Sequence, residues 1–488
     1  MTAPESATEL LISLIQDTEF GDLPAEAVHD TKRLIADTVG CALGARRHDA
    51  TAIAASVAME LGDGRGAQAS IVGTGLKCSV AAAGSANMYF GNYLDADDTY
   101  LNFSHPAVAA VFPALAFAEG HQLDGRQLIT AVALGFEVGC RAGLALEFMR
   151  LKPSGEIASV TGNLGWYGFC VAAAVGKTLN FDREQYDNAL GLAAWTAPIG
   201  TGQFYTPVAQ PGKHMLKYSP VMFQGMSGIM AALLAHKGFT GEHGIFDAPE
   251  AFWENFGVLG MNRERLTAGL GSQWQVSQTS LKPYACGRYA HPAVWLFNDL
   301  VARHDLNVED IEQVTVSTFD RAANWLGAHY RLENTIDLQF SIPMAVAAAA
   351  YGSDLGPSWQ SAETLADPRI LSFAERVRVT GNPATAPVIL EQSLAFGRFK
   401  NVPTEVCILA GGNEFVGSAD SSWGDPWETS TRMTDDEVKD KYRIYADAAL
   451  PAETNEKALD ILFELEEVEN VAAALMPLLT ESPQQKTP

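Results

Sequence analysis

From Ala7 to about Leu266 the chain is a succession of apolar runs in which alanine, glycine and other small residues recur at helical spacing, and this pattern limits the fold more than any other. Such runs lie at residues 25–43, 80–90, 128–146, 164–179, 186–195 and 223–236. Alanine favours helix, and its short side chain lets helix axes approach closely. The expectation is therefore a many-helix core and not a parallel sheet. The glycines of GTGLKCSVAAAG, beginning at Gly73, could be mistaken for a dinucleotide loop, but no βαβ context surrounds them.

Beyond about residue 270 the period changes. Residues 311–319, IEQVTVSTF, alternate apolar and polar side chains with β-branched content, as a half-buried strand does. Residues 376–380, 388–392 and 405–409 are further strand candidates, with a helix at 341–351. Helical spacing returns at 434–442 and 453–479, after a Gly/Pro/Ser-containing linker at 421–431, and the tail from 480 is polar. At 488 residues the chain exceeds one ordinary core. The predicted fold class is mainly α with an inserted α+β lid: a discontinuous helical domain, 1–270 and 412–488, and a lid domain, 271–411.

The formal charge of −25 argues against nucleic acid or an anionic membrane as partner. An anionic small molecule would need a locally basic pocket, which makes every Lys, Arg or His inside an apolar stretch informative. The six cysteines are dispersed, without a CxxC pair or zinc spacing, and suit a reduced, cytoplasmic protein. The N-terminus lacks the basic start and apolar core of a signal peptide, and no uninterrupted apolar stretch reaches the ~20 residues of a membrane span.

Three stretches carry chemistry. In YLDADDTYLNFSHPAVAAVFPALAF, from Tyr93, the residues Asp95, Asp98, Thr99 and His105 fall close together. A helix continued one turn past Leu94 would put Asp95, Asp98 and Thr99 on one face, and Ser104 would cap the next helix. The alternative is that Asp98 and Thr99 only terminate a helix and His105 is a satisfied buried ring. In GKHMLKYSP, Lys213 and Lys217 precede an apolar helix, where either could hold a carboxylate or reach to water. In SLKPYACGRYAHPAVW, Lys282, Arg288 and His291 lie near the domain junction, a preferred place for a ligand cleft. Arg288 could equally be the partner of an acidic residue across that junction. Asp95, Asp98 and His105 lack a convincing fourth metal ligand, so the expected site has no metal and no cofactor.

Together these stretches resemble the MmgE/PrpD family, which includes 2-methylcitrate dehydratase, cis-aconitate decarboxylase and iminodisuccinate epimerase. The matching segments are LDADDTYLNFSHPAVAAVFPALAFAEG, LKYSPVMFQGMSGIMAALLAHKGFTG, LKPYACGRYAH, LQFSIPMAVAAA and the Met-Thr-Asp-Asp-Glu run at Met433, all in the family's order. The resemblance implies a helical domain with an α+β lid, a homodimer, no metal, and a di- or tricarboxylate substrate. It implies catalytic roles for Asp95, Thr99, His105, Lys217 and Lys282, with His105 as acid/base oriented by Asp95 and the lysines clamping carboxylates. Arg288, His291, Ser159, Gly287 and Met344 would line the substrate site. Three positions depart from the pattern: Ser159 stands where many members have histidine, Gly287 where the animal decarboxylases have histidine, and Met344 where tyrosine is frequent. The first expectation is a hydro-lyase; decarboxylation, epimerisation and a non-catalytic carboxylate-binding or scaffold role are the alternatives.

Overall fold

The computed structural model describes residues 6–62, 66, 68–101, 104–154, 157–159, 164–198, 214–217, 221–247, 252–327, 332–352, 356–447 and 449–480. Nine helices build the first part of the chain among these residues: α1 Ala7–Asp17, α2 Ala25–Ala45, α3 Asp49–Leu61, α4 Val80–Tyr93, α5 Ala107–His121, α6 Gly125–Ala145, α7 Tyr167–Thr178, α8 Arg183–Trp195 and α9 Val221–His236. Their starts follow from local chemistry. Ser79 accepts from the Ala82 amide at α4, and Asp124 with Gln127 and Asp182 with Gln185 form capping boxes at α6 and α8.

Small residues set the helix spacing, as the alanine-rich pattern predicts. A Cβ placed at Gly139 of α6 would fall 1.9 Å from Cys170 Sγ of α7, so these helices cross where neither carries a bulky side chain. By length and composition α6 could cross a membrane, yet 94% of its most apolar window is buried inside this bundle. All six cysteines are free thiols, five of them buried. After the junction the chain returns to the helical part. The helix Asp435–Ala446 packs on α2, with the Tyr442 ring lying over Gly40.

The second part carries a four-stranded sheet in the order Val377–Gly381, Ile311–Thr318, Thr404–Ala410, Asn413–Ala419. The first pair is parallel and the others antiparallel. Ile311, Val314, Val316 and Thr318 are buried while the residues between them are more open, matching the alternation in the sequence. The molecule is thus a large helical domain with a smaller α+β domain.

Several local expectations are corrected. Residues 388–392 are not a strand; they lie within the helix Thr385–Phe396, whose run lacks the alternation that a sheet edge imposes. The last sheet strand, Asn413–Ala419, lies wholly beyond residue 411, the expected end of the lid. Residues 453–479 form not one helix but Ala452–Phe463 followed by short pieces. Gly73 and Gly75, both at positive φ, turn an antiparallel hairpin between β1 Gln68–Ile71 and β2 Leu76–Ser79, so a strand does precede that loop.

Candidate active site

Helix α4 ends at Tyr93, not a turn later, and the acidic stretch folds as a tight, buried turn. Asp95 has φ +53°, a left-handed conformation that costs an L-residue roughly 1–2 kcal/mol. Thr99 and Tyr100 then form β3, which pairs antiparallel with Thr279–Ser280, Thr99 opposite Ser280. Asp95, Asp98 and Thr99 therefore do not share a helix face. Ser104 is not a cap either, since α5 begins at Ala107 and its first amide donates to Asp98 Oδ1 at 3.1 Å. Asp98 does the capping from outside the helix.

The ribbon between β3 and Thr279–Ser280 is what assembles the site. It carries the junction loop alongside the acidic turn and so delivers Lys282, two residues beyond Ser280, to Asp95. Lys282 Nζ donates to Asp95 Oδ2 at 3.0 Å, and Lys217 Nζ donates to Asp95 Oδ1, also at 3.0 Å. All three side chains are at most 1% exposed. Lys217 also has positive φ, +58°, so both halves of one ion pair sit in strained backbone. Burial lowers the affinity of the Lys217 ammonium for its proton, and the Asp95 carboxylate opposes this. Two lysines on one buried carboxylate satisfy charges that would otherwise cost several kcal/mol each.

His105 lies beside this cluster. Its Nδ1 is 2.6 Å from the Asp98 carbonyl oxygen and 3.6 Å from Asp97 Oδ1, and its backbone N–H donates to the Tyr167 hydroxyl. A carbonyl can only accept, so Nδ1 carries the proton and Nε2 the lone pair, the tautomer of a base. Burial holds the ring below the usual histidine range; the Asp97 charge partly offsets this. The ring is oriented by Asp97 and the Asp98 carbonyl, while Asp95 acts on it through its charge. The Asp98 carboxyl is pushed well above its usual range by burial and the neighbouring Asp97. Thr99 Oγ1 is buried without a hydrogen-bond partner among the described residues.

The remaining expected residues divide. Arg288 is paired with the buried Asp425, which Ser280 also contacts at 2.6 Å, so Arg288 ties the junction loop to residues 421–431. His291 is buried between the Cys286 carbonyl, 3.1 Å from Nε2, and Arg288; burial and the Arg288 charge hold it well below the usual range. Gly287 donates to the Gln339 carbonyl at 2.7 Å and faces Asp95. Met344 is buried in the helix Ile342–Ala350. Ser159 ends the short strand Ile157–Ser159, and its side chain, like Lys213, lies outside the described residues. Among the described residues no group of three His, Cys, Asp or Glu is arranged around a metal position.

Sequence reasoning passed over several participants. Asp97 lay in plain view between two chosen acids. Gln339 and Gln360 were unremarked; their amides donate to the Tyr93 and Leu94 carbonyls at the end of α4, and Gln360 also to the Ala285 carbonyl at 2.9 Å. The second domain thereby supplies the C-terminal cap of α4. Asp37 and Lys441 form a further buried pair on two packed helices, and neither stood out among the other charges of its helix.

The expected cationic pocket is instead one of paired charges. Among the described residues Lys217 and Lys282 are paired with Asp95 and Lys441 with Asp37, and Asp97 and Asp98 lie close by.

The comparisons agree with this architecture. The match to the cis-aconitate decarboxylase of Aspergillus terreus is 27% identical over 303 residues, and that of Aspergillus terreus (strain NIH 2624 / FGSC A1156) is 28% identical over 303. The cis-aconitate decarboxylase-like protein oryM of Aspergillus oryzae (strain ATCC 42149 / RIB 40) is 24% identical over 306 residues. These matches span 58% of this chain and 58–60% of the relatives' own lengths. Residues 9–258 match the MmgE/PrpD N-terminal domain and residues 284–466 the MmgE/PrpD C-terminal domain, and the chain belongs to the MmgE/PrpD family.

Proposed function

We propose that the chain is a lyase for a small di- or tricarboxylate, in which His105 moves a proton at a carbon next to a carboxylate, and that the reaction is a dehydration like that of 2-methylcitrate. The observation that carries this reading is the convergence of Lys217 and Lys282 on Asp95 beside a buried histidine in its base tautomer. A carbon flanked by carboxylates is only weakly acidic. Its proton leaves when a neutral base is in place and cations meet the charge that develops. His105 Nε2 takes the proton, the C–O bond at the adjacent carbon breaks, and the departing hydroxide takes that proton back from the imidazolium and leaves as water. Lys217 and Lys282, sharing their charge between Asp95 and the substrate, hold its carboxylates, and Thr99 offers its hydroxyl to substrate or ring.

Dehydration needs one base and one acid and makes no use of a side chain at Gly287 or a histidine at Ser159. Decarboxylation is the second reading, favoured by the names of the relatives in Aspergillus. The decisive experiment incubates the protein with cis-aconitate, methylcitrate, citrate and iminodisuccinate and follows alkene absorbance, CO₂ release and chirality. Alkene change without CO₂ supports the dehydratase, CO₂ release replaces it with a decarboxylase, and loss of chirality alone replaces it with an epimerase. Tight binding without turnover would make the chain a carboxylate-binding homologue. The reading extends to a homodimer, which sedimentation would check.

A further inference from the structure

Lys441 plays no part in the reaction just described. It belongs to the helix Asp435–Ala446, yet its ammonium reaches the turn that carries the chemistry. Nζ lies 2.5 Å from Asp37 Oδ1 on α2 and 2.7 Å from the Ala96 carbonyl oxygen. Lys441 is 5% exposed, Asp37 1% and Ala96 0%.

Ala96 separates Asp95, which receives both site lysines, from Asp97, which faces the His105 ring. Asp95 is in left-handed backbone, so the turn is not the conformation this stretch would adopt unaided. It is tied at one end by Gln339 and Gln360 on the Tyr93 and Leu94 carbonyls and at the other by the β3 pairing. Between those ties Lys441 holds the Ala96 carbonyl, which belongs to the peptide plane joining Ala96 to Asp97. Ala96 is the one residue between Asp95 and Asp97, so a shift of its backbone would displace both acids from their partners.

We propose that Lys441 is a positioning residue of the active site: by holding the Ala96 carbonyl it sets the relative aim of Asp95 and Asp97, while Asp37 only balances its buried charge. The inference deepens the reading above, since it takes His105 as the group whose alignment matters. Burial pushes Asp37 upward and the lysine charge pulls it back; an ammonium with a carboxylate and a carbonyl both accepting from it stays charged.

The test compares Lys441→Met, which keeps the aliphatic stem and removes both bonds, with Asp37→Asn, which removes the ion pair and leaves the bond to Ala96. On whichever panel substrate the wild type turns over, Lys441→Met should lower kcat per folded molecule by about 10- to 100-fold with KM changed less than about 3-fold. Asp37→Asn should keep kcat within about 3-fold of wild type although both variants melt at lower temperature. Wild-type kcat in Lys441→Met, or an equal loss in Asp37→Asn, overturns the proposal, because a purely structural pair would respond to either change alike. If Lys441→Met does not fold, the double variant Asp37→Asn/Lys441→Met, which leaves no unpaired buried carboxylate, should show the same kcat loss; wild-type kcat there also overturns it.

Absence of turnover by wild type on every substrate would refute the lyase reading separately. The role of Lys441 is then read from the His105 ring titration by NMR. Its midpoint should fall further below the ordinary histidine value in Lys441→Met and the double variant, because Asp97 no longer supports the charged ring, and stay put in Asp37→Asn. An unmoved midpoint overturns the proposal.

Discussion

Gly287 faces Asp95: a Cβ built on Gly287 would lie 3.9 Å from Asp95 Oδ2 and 3.2 Å from the Gln339 carbonyl oxygen. Gly287 has φ −55°, so a side chain is conformationally permitted there, and the space it would enter adjoins the carboxylate that both site lysines hold. Replacing Gly287 by His would place an imidazole beside Asp95 once the Gln339 carbonyl yields a few tenths of an ångström. The family resemblance puts a histidine at that position in the animal decarboxylases, which is the place of a proton donor on the decarboxylase reading. Gly287→His should therefore raise CO₂ release from cis-aconitate relative to its hydration by about 10-fold, equivalent to ~1.4 kcal/mol in barrier. The ratio of ¹⁴CO₂ evolved to alkene change measures it.

His105 is expected to dominate turnover. His105→Ala should lower kcat by about 10² to 10⁴ with little change in melting temperature if His105 is the proton-transfer group. Full turnover in that variant would remove it from the role.

Asp95 and Lys282 should respond differently. Asp95→Asn leaves two buried ammonium groups without their shared carboxylate and should destabilise the fold by about 3–5 kcal/mol, read by urea unfolding. Lys282→Met leaves Asp95 with Lys217, so the protein should fold, with KM raised about 10-fold or more by loss of one charge-assisted contact.

Arg288 should behave as part of the scaffold. Its guanidinium is paired with Asp425, and both are buried. Arg288→Met should cost about 3–5 kcal/mol in stability, because Asp425 is left unpaired, while KM for the folded fraction stays within about 3-fold. A selective rise in KM with unchanged stability would return Arg288 to the substrate.

The legible and illegible parts of this molecule separate by range. Helix α6 could be read because its apolar period and the Asp124–Gln127 capping box are both local. The strand Ile311–Thr318 could be read because its alternation is local as well. The turn at Asp95 could not, since its left-handed backbone is held by Gln339, Gln360, Lys282 and Lys441, all more than 180 residues further along the chain. Asp425 hid in a stretch of linker composition because its partner Arg288 is recognisable only once the chain is folded. The residue types of the site were visible from the start; their pairing was a tertiary fact.

The pairing of charge around His105 leads to the last prediction. Lys217, Lys282 and Lys441 are each paired with a carboxylate here, so a substrate with two carboxylates enters a site whose lysines are already engaged. Asp95, Lys217 and Lys282 all act electrostatically on the His105 ring, and an added anion sharing those lysines weakens their hold on it. Anion binding must therefore raise the proton affinity of His105, which in the free protein lies below the ordinary value of 6.5 because the ring is buried. A group whose affinity rises on binding takes up protons at pH values between its free and bound midpoints. Calorimetry at about pH 6, in buffers of different ionisation enthalpy, should then register net proton uptake on binding of a non-reacting dicarboxylate, and His105→Gln should abolish it. The same linkage orders the kinetics: the acid limb of kcat/KM reports the free protein and should lie below the acid limb of kcat, which reports the complex. Coincident limbs together with zero proton uptake would show that the incoming charge is met by groups other than His105.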